Sequence, residues 1–264
     1  MKSVKRISYS VICLFIVRLF RNNMNKKGGI EVLDNNTYRK SARIVGVLFI
    51  LTMIVGMLDA YLVAPVLSSP IIDFSLNKNL MISGAILILV LSLGIVGIAI
   101  MLFPVLKRYN QTVAFTYLSF RILECVFLIV GAIIYLFLLE LSQAYIKAGT
   151  PNDLYLQTIG TLAIKLRYDT YQIAMLILGV CSLMLCYLFF QSKLIPRWLS
   201  VWGFVGYALL LSSAILDLLN VIDTVNGAGI VMYFPGLLFE LIVFPTWLIG
   251  KGFHFTAGGI QSKA

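Results

Sequence analysis

The sequence predicts an all-α, polytopic membrane protein: a bundle of six transmembrane helices with the N- and C-termini both on the cytoplasmic side. Three observations predict it. Of the 264 residues, 60% are hydrophobic and only 12% charged, and the mean hydropathy is +0.96. Ordinary soluble domains hold about 45–50% apolar and about 25% charged residues, so this composition needs an apolar solvent. Six apolar runs are long enough to cross a bilayer, which takes ~20 helical residues for ~30 Å of hydrocarbon. Finally, Lys and Arg gather at alternate ends of those runs.

The runs cover residues 44–67, 80–106, 113–139, 168–190, 198–219 and 229–250. Each is apolar on all faces, which in a helix means burial in a large core or in lipid. Pro104 with Lys107-Arg108 punctuates the end of the second. Most connections are short, so consecutive helices should pack as antiparallel neighbours.

Orientation follows from the cations. Ten Lys and Arg precede the first run, and Lys107, Arg108, Lys193, Arg197, Lys251 and Lys263 fall on the same side. The opposite side holds only Lys78, Lys147, Lys165 and Arg167, and Arg121 lies within a run. Cytoplasmic flanks carry the excess of Lys and Arg, which places both termini inside. Trp198, Trp202 and Trp247 fall at the same ends, where indole rings favour the interface. The net charge of +10 is thereby explained by topology. No basic-aromatic surface motif accompanies it, and nucleic acid is not expected as a partner.

Residues 1–37 form a basic extension before a membrane domain over 38–253, and 254–264 a short tail. Within the extension, residues 7–20 are apolar but interrupted by Arg18. A signal-peptide core, an interfacial helix, and translation starting at Met24 are three readings of it. Thr150-Pro151-Asn152-Asp153 carries the signals of a helix N-terminus. A helix is expected to begin near Pro151 and to run into the fourth span.

The informative residues are the charges inside apolar runs. Arg121 and Glu124 stand at i, i+3 spacing in the third run, on one helical face, and Glu240 lies near the middle of the sixth. An ionised group facing lipid costs at least ~2.5–3.5 kcal/mol, so the three should turn inward and meet as an intramembrane polar cluster. One arginine does not balance two carboxylates, and one glutamate is then expected to carry a proton. The competing reading is an ion-pair clasp that only fixes helix register. Pro235 and Pro245 bracket Glu240, which predicts a kinked or locally opened helix.

Asp59, in the far half of the first run, is a candidate outer-vestibule acid for cations. Asp73, Asp169, Asp217 and Asp223 lie on the same side, where they can equally reach interfacial water. Ser83-Gly84, Ser92, Gly94, Gly97 and Ala99 supply small side chains for close helix contact in the second run. Cys13, Cys125, Cys181 and Cys186 form no Cys-x-x-Cys pair, and His254 is the only histidine. No metal site or cofactor is expected. Hydrolase and nucleotide-binding motifs are absent from the sequence.

Several segments taken in order resemble a known family. They are Arg43 to Leu48 opening the first span, Tyr117 through Arg121 to Glu124 in the third, and Leu194-Ile195-Pro196-Arg197-Trp198-Leu199 entering the fifth. Phe234-Pro235 to Glu240 and Trp247-Leu248-Ile249 to Gly252-Phe253 complete the set. The chain, over residues 38–253, resembles the bacterial membrane-protein family catalogued as domain of unknown function 4386. The resemblance implies a polytopic inner-membrane protein and brings no substrate, cofactor or catalytic residue with it.

Function therefore rests on the residues. The first reading is a small carrier or ligand-responsive membrane protein using Arg121, Glu124 and Glu240. The second is a structural or accessory protein, partner-binding or responsive to envelope stress, in which the cluster is only a clasp. An intramembrane enzyme stands third. The bilayer is the one partner the sequence names, and protein partners and homo-oligomers stay open.

Overall fold

A computed structural model describes residues 35–148, 154–224 and 229–253. The described residues are helical and contain no strand. Helix α1 covers Asn35–Leu67, a short α2 Ile71–Leu76, α3 Lys78–Lys107, α4 Gln111–Ala148, α5 Leu154–Ser192 and α6 Arg197–Leu218. The last segment is broken into α7 (Ile230–Leu238), a π-helical turn π1 (Phe239–Val243) and α8 (Phe244–Gly250). Six of the segments are long and apolar enough to cross a membrane, the sixth being Val231–Gly250 across α7, π1 and α8.

The outside of the bundle identifies its solvent. On α1, Ile44, Val47, Leu51, Ile54 and Leu58 recur at helical spacing and are all more than one third exposed. The opposite stripe of α1, Val45, Phe49, Thr52, Asp59 and Val63, is buried. Only 22% of the most apolar window of this helix lies inside the protein. A water-soluble bundle would place polar residues on the outer stripe. Here the polar side chains are inside and the apolar ones outside, as a lipid-facing helix requires.

Sequential helices pack as neighbours, α3 against both α1 and α4, α5 against α4 and α6, and α7 against α6. Helix α8 and the π1 turn return to α1, so the six segments close into a ring. Small residues let the backbones approach. A Cβ on Gly46 of α1 would lie 3.0 Å from the Pro245 carbonyl oxygen of α8. A Cβ on Gly94 of α3 would overlap Thr52 of α1. At the α6–α7 seam, a Cβ on Gly206 would come 2.9 Å from the Cα of Gly236. The small residues of the second run thus serve contacts within the bundle.

Helices α4 and α5 extend beyond the apolar runs that announced them. At 38 and 39 residues, they are about 57 Å long at 1.5 Å per residue. The expected start near Pro151 falls at residues 149–153, outside the described residues, as do the extension 1–34 and the tail from 254. From Leu154 the helix is continuous into the fourth span. The short α2 lies on the upper part of α4: Ser142 Oγ accepts from the Ser75 N–H at 3.0 Å and donates to the Ile72 carbonyl at 3.4 Å.

Candidate functional site

The π1 turn sets the position of Glu240. Proline lacks a backbone N–H, and Pro235 and Pro245 stand on either side of this turn. Phe244 donates its N–H to the Phe239 carbonyl five residues back, the π-type bond that admits an extra residue. On the α8 side of Glu240, Phe244 stacks on Phe239 at 5.2 Å and meets Phe49 edge-on at 5.3 Å and Phe189 at 5.7 Å. This aromatic layer joins α1, α5, π1 and α8.

Arg121 and Glu124 face Glu240 from α4. Arg121 is 3% and Glu124 1% exposed. The guanidinium is held on its own helix: Nε donates to the Tyr117 hydroxyl at 3.0 Å and Nη1 to Glu124 Oε2 at 3.0 Å. Tyr117 is one turn before Arg121 and Glu124 one turn after, so α-helical spacing alone assembles the three. Across the ring, Arg121 Nη2 is 3.9 Å from Glu240 Oε1 and has no hydrogen-bond partner. Glu240 is bonded to Tyr207 of α6 instead, whose hydroxyl donates to Oε1 at 2.5 Å. The close Gly206–Gly236 seam brings Tyr207 within reach. The predicted residues Arg121, Glu124 and Glu240 therefore come together around one another, with Tyr117 and Tyr207 added to them.

Asp59 lies elsewhere, in a second buried centre. It is 6% exposed, as is Arg167 of α5, and the two are 3.8 Å apart. The Tyr135 hydroxyl of α4 sits between them. It accepts from Arg167 Nη2 at 3.1 Å and donates to Asp59 Oδ2 at 3.2 Å. Two glycines make the space: a Cβ on Gly131 would lie 3.1 Å from Arg167 Nε, and one on Gly84 would lie 3.1 Å from Asp59 Oδ1.

A third network closes the same end. Asp217 accepts from both the N–H and the hydroxyl of Thr224. Gln172 donates to Thr224 Oγ1 at 2.6 Å and accepts from the Tyr233 hydroxyl at 3.0 Å. The turn that folds Thr224 back has Asn220 at φ 55°, a conformation asparagine tolerates. Val221 N–H bonds the Leu216 carbonyl and Asn220 N–H that of Asp217, which completes the cap of α6.

Sequence reasoning counted Arg167 among the cations on the outer side of the bilayer, because the fourth apolar run starts one residue later. Two signals pointed to it. The helix start expected near Pro151 puts position 167 more than four turns inside a helix, and Asp59 needed a cation at its own depth. Tyr117, Tyr135 and Tyr207 gave no signal, since a tyrosine in an apolar run reads as packing. Cys125, Cys181 and Cys186 are buried free thiols. Among the described residues, no group of three or more His, Cys, Asp or Glu side chains is arranged to hold a metal ion.

Chemically, the Arg121 centre offers one guanidinium and two carboxyl groups in an apolar interior. With all three ionised it carries one uncompensated negative charge. No curated protein and no solved structure matches the chain. The family described as Domain of unknown function (DUF4386) matches residues 44–252. That span reaches into all six membrane-spanning segments, and the chain belongs to this family.

Proposed function

We propose that the protein is a small carrier or ligand-responsive membrane protein that works by protonating and deprotonating the Arg121–Glu124–Glu240 cluster. One observation carries this reading: the bond that crosses the ring is the poorly made one. The short contact of Arg121 is to Glu124 on its own helix, at 3.0 Å, whereas Glu240 stands 3.9 Å away. A clasp selected to hold α4 against the last segment would put its best hydrogen bond between them. Arg121 Nη2 instead ends without a partner, close to a carboxylate mounted on a π turn. Such turns occur frequently at functional sites, and buried ionisable residues in spans mark ion and proton paths.

A proton on one of the two carboxyls makes the centre neutral, and its loss leaves Glu240 to attract Arg121. Movement of Glu240 by about 1 Å toward Arg121 would exchange Tyr207 for the guanidinium, and the π turn is the place where such a shift costs least. The accessory reading, in which the cluster is only a clasp, predicts no transport and a collapse of the fold when either side is removed. In the orientation proposed from the Lys and Arg distribution, both termini and the α8 end face the cytoplasm, and Asp59 lies toward the outer side.

The test is reconstitution of wild type, Glu240→Gln and Arg121→Gln in sealed vesicles, with proton flux and melting recorded on the same preparations. Variants that melt near the wild-type temperature and lose a flux seen in wild type support a working site. A wild type that moves no protons, with variants that unfold, leaves the clasp.

A further inference from the structure

Around the ring the segments follow one another as α1, α3, α4, α5, α6 and the last segment, which returns to α1. Asp59 on α1 and Arg167 on α5 stand three places apart, and so do Arg121 on α4 and Glu240 on π1. Each pair therefore reaches across the interior, between segments that are not neighbours in the ring. Both arginines are carried by α4 and α5, which pack together, and both acids by α1 and the last segment, which also pack together. The pairs lie at opposite ends of the bundle. Tyr135, which bonds Asp59 and Arg167, is fourteen residues after Arg121, about 21 Å along α4 at 1.5 Å per residue. Between these levels Leu128 and Ala132 of α4 and Ala174 and Leu178 of α5 are buried, so in this conformation the interior is closed.

Neither crossing is tightly fastened. The charges are 3.8 Å apart at the first and 3.9 Å apart at the second. Asp59 Oδ1, Arg167 Nε and Arg121 Nη2 end without a hydrogen-bond partner. At the Asp59 level the hydrogen bond that crosses comes from the Tyr135 hydroxyl, at 3.2 Å. We propose that the two pairs are latches at opposite ends of one interior path. The acid-bearing body, α1 with the last segment, rocks against the α4–α5 pair and parts one latch while the other holds. This rests on the carrier reading above and gives it a cycle. Water reaches the Glu124 and Glu240 carboxyls through the parted Asp59–Arg167 latch, and after the bundle rocks back it reaches them from the other end. Sliding of packed helices is one of the ways proteins close around a site. The acid-bearing body meets the two linking helices, α3 and α6, at glycines: Gly94 against Thr52, and Gly206 against Gly236.

The experiment follows a cysteine placed between the latches. Ala174 is fully buried and lies two turns beyond Arg167 on the same face of α5, about 10 Å along its axis. In a background with the four native cysteines replaced, Ala174→Cys is reacted with an impermeant methanethiosulfonate on intact cells and on inside-out vesicles. The preparation that labels Lys78→Cys, exposed at the Asp59 end, is the one presenting that end. The expected result is labelling at least tenfold faster in Asp59→Asn and in Arg167→Gln from the Asp59 end alone. Arg121→Gln should accelerate it from the opposite end alone. Melting is recorded for every variant. Folded Asp59→Asn and Arg167→Gln that label at the parent rate from both ends overturn the latches. Variants that label faster from both ends overturn them too, since that marks a loosened fold. If neither variant folds, Tyr135→Phe removes the crossing hydrogen bond and keeps the charges, and a parent rate there overturns the proposal equally. Sided labelling in a protein without proton flux supports the latches and overturns the carrier reading alone.

Discussion

Tyr207 donates its hydroxyl proton to Glu240 Oε1 at 2.5 Å, from a helix that meets the last segment backbone to backbone at Gly206 and Gly236. Arg121 is the nearer expectation as a partner for a buried carboxylate, yet it stands farther off, at 3.9 Å. The tyrosine therefore decides where Glu240 rests. Tyr207→Phe removes that donor and leaves an acceptor in an apolar site, at a cost of about 1–3 kcal/mol. Melting in detergent should fall accordingly. In a double-mutant cycle with Glu240→Gln, a coupling of about 0.5–3 kcal/mol is expected, and a coupling of zero would mean the two side chains act independently.

Arg121 makes its contacts as a fork, with Nε to Tyr117, Nη1 to Glu124 and Nη2 toward Glu240. A point charge cannot reproduce that set. Arg121→Met strands two carboxyl groups beside an apolar side chain, and loss of one partner from a buried pair costs about 3–5 kcal/mol. Adding Glu124→Gln removes one of the stranded groups, so the double variant should recover part of the loss. Arg121→Lys should fall between wild type and Arg121→Met. A double variant no more stable than Arg121→Met would contradict the pairing drawn here.

Charge was legible in the sequence wherever it stood inside an apolar run. Arg121, Glu124 and Glu240 are conspicuous in runs of Leu, Ile, Val and Phe, because the cost of an ion in hydrocarbon is large and independent of fold. The same reasoning passed over Arg167, which a hydropathy reading leaves just outside its span. Burial there depends on Gly131 and on the path of α4, information that sits about 35 residues away in the chain. The two prolines announced an irregularity around Glu240, and the π turn is its form. The hydroxyl partners were invisible: a tyrosine packs its ring in lipid as readily as it donates to a carboxylate, and only the closed ring of helices brings Tyr207 to Glu240 or Tyr135 to Asp59. The short α2 was missed too, since six residues carry too little periodicity to distinguish a helix from a loop.

Glycine at the α6–α7 seam has no room for a side chain. A Cβ at Gly206 would meet the Cα and the nitrogen of Gly236 within 3.0 Å, and backbone cannot move aside as a side chain can. Gly206→Ala should destabilise the protein by about 1–3 kcal/mol, the range of an overpacked core, and should weaken the Tyr207–Glu240 bond that the seam positions. Gly250→Ala is the matched control, because nothing lies within 4 Å of the Cβ it would add. There the smaller entropy of the unfolded chain should stabilise by about 0.4–1 kcal/mol. Equal melting temperatures for the two variants would sink the argument.

Orientation decides which side Asp59 lies toward, and it can be read with an impermeant maleimide on intact cells. Lys78 and Val221 are exposed at one end of the bundle, Lys107 and Lys193 at the other. In a Cys13→Ser background the remaining thiols, Cys125, Cys181 and Cys186, are buried in the folded protein, so an introduced cysteine supplies the signal. With the termini inside, Lys78→Cys and Val221→Cys label on intact cells, whereas Lys107→Cys and Lys193→Cys label only after the membrane is opened. The Lys and Arg asymmetry is the physical ground for that expectation. The reverse pattern would turn the bundle over and put Asp59 on the inner side.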